Sequence, residues 1–554
     1  MTPRRLPVLL LLGLLLTGLI PAGGRAAPAS ASPAAPRLVL VVVVDQMKAE
    51  YLGRFRDLFT GGLKRLLDEG AVFTSAFYRH ACTETGPGHS VILSGRSPRS
   101  SGIVANSWYD RALGRVVNVV YDPTVRTLGG AHAPPASPAH FSGFTLGDLL
   151  KHASPASRVV GLSFKDRAAI LLAGPRADAA YWYESADGRF VTSSYYMRET
   201  PAWLEAWNAR RVPDAYAGRV WERLLPDVSI YERYAGPDDV KGEFDGKDTV
   251  FPHTIPGAPP SATFYEGLWR TPFADEILLD AALAAMDAHS LGTRDATDLL
   301  AVSFSACDVV GHTYGADSQE ILDLLLRLDR TLGRLLDDID RRVGRGRTLV
   351  VLTGDHGSMP LVEILQGRGI AARRASSGDL RAPVLAALAR RFPKATGLVA
   401  AADPPDYWLD QDAIRRQGLK RADVEATIRG ALLTTGLVDR VYTQAELVSD
   451  APAGDPLFPL YQRAFYAPRS ADLVGRIKEY VYLGGYVGGT GHGSPYEYDR
   501  HVPIVFMGEG IPPGARDAAC GPEDIAWALG RLLGLDYPQQ DAGTDLLPLL
   551  KTAP

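Results

Sequence analysis

Residues 38–44 read Leu-Val-Leu-Val-Val-Val-Val, and the run stops at Asp45. An unbroken β-branched run of this length predicts a strand buried on both faces, the signature of a parallel sheet inside an α/β protein. Similar runs recur at Arg158–Phe164, Asp298–Phe304, Thr348–Leu352 and Val502–Met507. Helical patterns separate them. In Ser318–Arg342 the residues Ile321, Leu324, Leu325, Leu328, Leu332, Leu335 and Leu336 mark a stripe at 3.6-residue spacing. Alternating strands and amphipathic helices predict a mainly parallel central sheet with helices on both faces. Asp45, Lys165, Asp308 and Asp355 gather just beyond these runs, at the carboxyl ends of strands, where open α/β sheets bind their ligands.

Two stretches break the alternation. About 181–273 is rich in Trp, Tyr, Pro and Gly with little helical period, and reads as a decorated insertion. About 363–470 carries its own pattern: helix Ala382–Arg391, strand Gly397–Ala401, helix Arg421–Leu433 and strand Val438–Thr443. It reads as an inserted small α+β subdomain. The expected organisation is a single catalytic domain over 37–554 with these two insertions.

Composition narrows the class. Of 554 residues, 46% are hydrophobic and 22% charged, which excludes a mostly disordered chain, a collagen-like fibre and a polytopic membrane protein. A net charge of −4 gives no electrostatic case for a nucleic-acid partner. Three cysteines, Cys82, Cys307 and Cys520, exclude a disulfide-dense scaffold and any multi-cysteine zinc module. Residues 1–26 have the form of a secretory signal peptide: Arg4 and Arg5, then apolar Leu6–Ile20, then a small-x-small cleavage candidate at Gly24-Arg25-Ala26. Residues 27–36 form an Ala/Ser/Pro linker. Cleavage would remove Arg4, Arg5 and Arg25 and take the net charge to −7. The expectation is a periplasmic or secreted protein with no stable membrane insertion after cleavage; a retained N-terminal anchor is the rival reading. Oligomeric state is not readable.

The candidate metal ligands, in chain order, are Asp45, Asp308, His312, Asp355, His356 and His492. Asp308 and His312 are spaced i, i+4, so one helical turn can present both to one ion. Asp355 and His356 lie in Thr-Gly-Asp-His-Gly directly after a strand run, and His492 lies in a glycine-rich loop, Gly-Gly-Thr-Gly-His-Gly. Three carboxylates with three imidazoles favour zinc over magnesium or calcium, which prefer all-oxygen surroundings.

These pieces resemble the alkaline phosphatase superfamily. The matching segments are Val-Asp-Gln-Met (44–47), Thr-Gly-Pro-Gly-His (85–89), Asp-Val-Val-Gly-His (308–312), Thr-Gly-Asp-His-Gly (353–357) and Gly-His-Gly (491–493). The resemblance implies two zinc ions, one held by Asp308, His312 and His492 and the other by Asp45, Asp355 and His356. Thr85 would be the nucleophile between them, itself a metal ligand. Physical chemistry agrees, because a threonine hydroxyl is a poor nucleophile at neutral pH unless a metal lowers its pKa. Thr83 competes, but only Thr85 precedes the matching Gly-Pro-Gly-His segment, and it should start a helix whose free N–H groups favour an anion. His89 reads as structural.

Asn106 and Lys165-Asp166-Arg167 address the substrate. If the strand at Arg158–Phe164 continues, Lys165 and Arg167 point to one side of the sheet. Two cations and an amide could then bind the nonbridging oxygens of a phosphoryl group, which a monoester dianion needs more than a diester does. With Gly-Ile-Val-Ala-Asn (102–106), this set is similar to the PafA-type, phosphate-irrepressible alkaline phosphatases, periplasmic monoesterases with a threonine nucleophile. The resemblance implies hydrolysis of small phosphate monoesters through a phosphothreonine intermediate, with net retention at phosphorus. The alternative is a nucleotide pyrophosphatase/phosphodiesterase, for which Trp182, Trp203 and Trp207 could stack a base. A sulfatase is disfavoured for want of Cys/Ser-x-Pro-x-Arg. A cofactor-independent phosphoglycerate mutase would use serine, and a non-catalytic binding protein would not need the full ligand set.

Overall fold

The computed structural model describes residues 35–243, 246–449, 454–484 and 488–553. The expected signal peptide and most of the expected linker therefore lie outside the described residues. The central sheet has ten strands: β1 (Leu38–Val44), β2 (Ala71–Phe73), β3 (Thr127–Leu128), β4 (Val159–Ser163), β5 (Ala179–Glu184), β6 (Arg189–Ser193), β7 (Asp298–Phe304), β8 (Thr348–Gly354), β9 (Ile504–Met507) and β10 (Gly514–Arg516). Their order across the sheet is β10-β2-β9-β8-β1-β7-β4-β5-β6-β3. The middle five, β8-β1-β7-β4-β5, run parallel. Antiparallel pairs appear outside them: β9 is antiparallel to β8 and β2, and β6 to β5 and β3. The sheet is thus parallel at its heart and mixed at its flanks.

β1 shows why the unbroken apolar run is needed. Leu40, Val42 and Val44 join one core cluster, whereas Val39, Val41 and Val43 join another on the opposite face. Successive side chains of a strand point to opposite faces, so both faces must be apolar when both are covered. The first face is covered by α4 (Gln319–Val343), whose seven stripe residues are all buried. Each such side chain contributes roughly 1.5–3 kcal/mol by leaving water. The second face is covered by helices that include Leu146–Ala153 and Ile525–Leu532.

Register places the site. Val44 of β1 is level with Phe304 of β7 and with Gly354 of β8. The chain therefore leaves three adjacent parallel strands at one edge, delivering Asp45, the start of α3 (Ala306–Tyr314) and Asp355 together. α1 (Thr85–Ile92) and α2 (Asp166–Ala173) approach the same edge.

Two expectations need correction. Residues 181–193 are not part of an insertion, since most of them form β5 and β6 of the main sheet. The tryptophans of 181–207 serve the core: Trp182 and Trp207 are buried in core clusters, and Trp203 packs edge-on against Tyr181 at 4.9 Å. The second correction is that the strand at Arg158–Phe164 does not continue. It ends at Ser163, Lys165 is the N-cap of α2 and Arg167 lies in its first turn.

Between 363 and 477 a four-stranded sheet forms from Val399–Asp403, Asp406–Leu409, Leu473–Ile477 and Val438–Thr443. Helices Ser377–Arg391 and Arg421–Thr434 pack on it around a core of their own. No described helix is long and apolar enough to cross a membrane.

Candidate active site

The six candidate ligands converge at the carboxyl edge of β1, β7 and β8. His312 Nε2 lies 3.2 Å and His492 Nε2 3.5 Å from Asp308 Oδ1. His356 Nε2 lies 3.4 Å from both Asp45 Oδ1 and Asp355 Oδ2. The rings of His356 and His492 stack with centroids 3.6 Å apart. Ligand atoms of Asp308, His356 and His492 fall within 4.8 Å of one another, as do those of Asp45, His89 and Asp355. His356 thus faces both halves of the cluster.

The residues fit a nitrogen- and oxygen-binding metal. Nδ1 of His312 is 2.7 Å from the Thr490 carbonyl, Nδ1 of His356 3.0 Å from that of Gly357, and Nδ1 of His492 2.7 Å from that of Thr83. A carbonyl only accepts, so each Nδ1 carries the proton and each Nε2 is turned to the carboxylates, the arrangement typical of metal-binding histidines. Asp45 Oδ1, Asp355 Oδ2 and His356 Nε2 are buried without a hydrogen-bond partner, and such atoms are costly unless something compensates them. The electrostatics agree. Burial, then the charge of Asp355, pushes the Asp45 carboxyl well above its usual range. Burial also opposes ionisation of Asp308, but Lys165 and His312 outweigh it and hold that carboxyl well below. Burial lowers His356 to about 3. For His492 burial is outweighed by Asp308, which lifts it to about 9. A metal ion would displace the proton on His492 Nε2.

Thr85 is the first residue of α1 and is buried. Lys165 Nζ is 3.3 Å from its Oγ1, 2.6 Å from Asp45 Oδ2 and 2.6 Å from Asp308 Oδ2. Burial disfavours the ammonium, but Asp308 and Asp45 outweigh that and raise its pKa. The Thr83 hydroxyl, by contrast, is donated to the Ser494 carbonyl at 2.9 Å. Asn106 Oδ1 accepts from Gly86 N at 2.7 Å, and Asn106 N donates to Glu84 Oε2 at 2.7 Å. Asn106 therefore sits against the open end of α1. Gly88 allows the helix its close seat, since a Cβ there would overlap the Asp355 carbonyl oxygen and lie 2.9 Å from Asp355 Cβ.

Arg167 is less tightly engaged. Its guanidinium lies 3.8 Å from Asp166, its Nε is buried without a partner, and its charge reaches both Lys165 and Glu84. His89 is occupied as a structural residue. Its Nδ1 is 2.9 Å from the Thr85 carbonyl and 3.1 Å from Asp355 Oδ2, and its Nε2 is 2.7 Å from Ser303 Oγ.

Gln46 escaped sequence reasoning. It is fully buried at φ 64°, a conformation unusual for a residue with a side chain. Its backbone N donates to Asp355 Oδ1 at 3.0 Å and its Nε2 to Asp308 Oδ1 at 2.9 Å, so one residue orients carboxylates from both ligand groups. Its place directly after Asp45 was the only available signal. A cavity of about 350 Å³ opens beside the cluster, lined by Glu84, Trp108, Trp408, Tyr461, His492 and Tyr496.

A family model for type I phosphodiesterases/nucleotide pyrophosphatases matches residues 39–495. The chain belongs to that family. The chain is 33% identical over 533 residues to alkaline phosphatase PafA of Elizabethkingia meningoseptica, covering 93% of this chain and 94% of that protein. It is 32% identical to alkaline phosphatase PhoV of Synechococcus elongatus, covering 94% of each. The crystal structure of wild-type PafA superposes with a TM-score of 0.86 at 32% identity, covering 93% of this chain and 98% of PafA. The fold is accordingly that of PafA-type alkaline phosphatases, and the chain is a phosphatase of their superfamily. Murine ectonucleotide pyrophosphatase/phosphodiesterase 5 shares the fold at 14% identity, with a TM-score of 0.51.

Proposed function

We propose that this chain is an exported, two-zinc alkaline phosphatase that hydrolyses phosphate monoesters through a phosphothreonine intermediate on Thr85. The observation that carries the reading is the position of the Thr85 hydroxyl: buried, at a helix start, beside Lys165 Nζ, which itself touches one carboxylate from each ligand set. The ligand sets are those expected from the family pattern, Asp308, His312 and His492 for one ion and Asp45, Asp355 and His356 for the other. Zinc bound there lowers the pKa of a coordinated hydroxyl and stabilises charge on the oxygens of an in-line displacement.

The side chains supply the rest. Thr85 Oγ gives up its proton to solvent and bonds to phosphorus while the bond to the ester oxygen breaks; that oxygen leaves with the electron pair and takes a proton from water. Water then attacks the phosphothreonine, restoring Thr85 and releasing inorganic phosphate; two in-line displacements give net retention. The backbone N–H of Thr85 and the side-chain NH2 of Asn106, whose Oδ1 is held by Gly86 N, bind the nonbridging oxygens. Lys165 and Arg167 reach the phosphoryl group as long side chains from the turn into α2, and their two charges match a dianion. The organic part of the ester extends into the cavity beside His492. Export rests on the N-terminal sequence pattern.

Trp182 and Trp207 lie in the core and Trp203 packs against it, which removes the base-stacking role that the nucleotide pyrophosphatase/phosphodiesterase reading gave those three residues. The direct test is Thr85→Ala. It should abolish turnover while zinc content stays at the wild-type level. Substantial residual activity would move the nucleophile to Thr83 or to water.

A further inference from the structure

The loop that carries His492 reads Gly-Gly-Thr-Gly-His-Gly (488–493), and glycine backbone has the most conformational freedom to lose when it is ordered. Thr490 in this loop also holds His312. Its carbonyl lies 2.7 Å from His312 Nδ1, and its N donates to the His312 carbonyl at 3.2 Å. One loop therefore carries one candidate ligand and orients a second. A side chain outside the cluster fixes the loop. Arg374, on the short strand Arg373–Ala375, donates from Nη1 to the Gly489 carbonyl at 2.7 Å and from Nη2 to the Gly242 carbonyl at 3.2 Å. Gly489 N donates to that same Gly242 carbonyl at 2.6 Å, so the three groups close a ring.

The guanidinium is itself held. Its Nε lies 2.8 Å from Glu363 Oε1 and its Nη2 2.7 Å from Glu363 Oε2, a bidentate pair that fixes its plane. The two side chains are 21% and 24% exposed, so this is a partly sequestered pair rather than a loose surface one. The cation also lies over the Tyr482 ring, 5.3 Å from its centroid.

We propose that Arg374 is a positioning residue for the metal site of Asp308, His312 and His492, acting through Gly489 and Thr490. Its role rests on the two-zinc reading given under the proposed function. The planar fork of an arginine can hold a carboxylate and two carbonyls at once, which a lysine ammonium does less well. Without Arg374 the Gly489 carbonyl loses its donor and the glycine loop one of its clamps. Supports behind a metal ligand are worth about 10–100-fold in metal affinity. The other ligand set is spared, because Asp45 and Asp355 follow strands of the main sheet and His356 Nδ1 is held by the Gly357 carbonyl rather than by Thr490.

The test uses the zinc-loaded full chain as wild type and as Arg374→Ala, with Arg373→Ala, an exposed change on the same strand, as the control. Chelator competition measures zinc retention, and zinc-edge anomalous diffraction locates the ions that remain. Arg374→Ala should release one zinc about 10–100-fold more readily than the wild type, from the position of Asp308, His312 and His492. The ion at Asp45, Asp355 and His356 should stay, and the control should match the wild type. Arg374→Lys keeps the charge but not the fork; it should lose the same ion to a smaller extent, and it carries the test if the alanine variant does not fold. A folded Arg374→Ala enzyme that keeps both ions as the wild type does overturns the proposal. So does equal loss from both positions, which a general structural role would give. A wild-type chain that holds fewer than two zinc ions overturns the two-zinc reading, and the role of Arg374 with it.

Discussion

Gly88→Ala examines how closely α1 must sit against β8. The Cβ it adds overlaps the Asp355 carbonyl oxygen and lies 2.9 Å from both the carbonyl carbon and Cβ of Asp355. These are backbone-anchored atoms, so no flexible side chain can give way. Restoring ordinary contact requires α1 to withdraw by about 1 Å, and a misplacement of that size costs on the order of 100-fold in rate, or about 2.7 kcal/mol of barrier. Overpacking of this kind also costs roughly 1–3 kcal/mol of stability. The assay is kcat/KM for an aryl phosphate monoester, with the unfolding temperature measured in parallel. Gly53→Ala is the control, because nothing lies within 4 Å of the added atom. The expected result is a loss of about two orders of magnitude in a folded Gly88→Ala enzyme and near-wild-type activity in the control. A folded Gly88→Ala enzyme within threefold of wild type would refute the claim that the seat of α1 on Asp355 positions Thr85.

Gln46→Ala should weaken metal retention by about 10–100-fold in a chelator competition, because Asp308 loses an orienting hydrogen bond; unchanged retention would make Gln46 a packing residue. Asp275 bears on pH. It is 2% exposed, and burial raises its carboxyl to about 8. The folded state holds this proton after the unfolded chain has released it. The wild type should therefore lose stability relative to Asp275→Asn as pH rises from about 4 to about 8, with no further change above. Parallel stability curves for the two proteins would show that Asp275 titrates normally.

Much of the fold was legible because its information is local. A strand buried on both faces needs the unbroken run at 38–44, and the stripe in 318–342 needs one helix face. The six ligand candidates were readable for a related reason: strand ends are where register brings separate segments together, and each candidate lies near one or in a glycine-rich loop. What failed depended on tertiary context. Nothing in Phe164-Lys165-Asp166-Arg167 says whether the strand continues or turns, and it turns at Ser163. Trp182 and Trp207 looked like a ligand platform because composition does not distinguish core from surface. Gln46 was invisible, since a positive φ leaves no mark in sequence.

In the proposed mechanism two cations, Lys165 and Arg167, read a phosphate dianion presented to Thr85. The most direct measurement is the ratio of kcat/KM for an aryl phosphate monoester to that for its methyl diester, in the wild type and in Lys165→Ala and Arg167→Ala. A strong monoester preference in the wild type, reduced in each variant mainly through loss of monoesterase activity, is the predicted result. A diester preference in the wild type, or equal losses on both substrates, would contradict it.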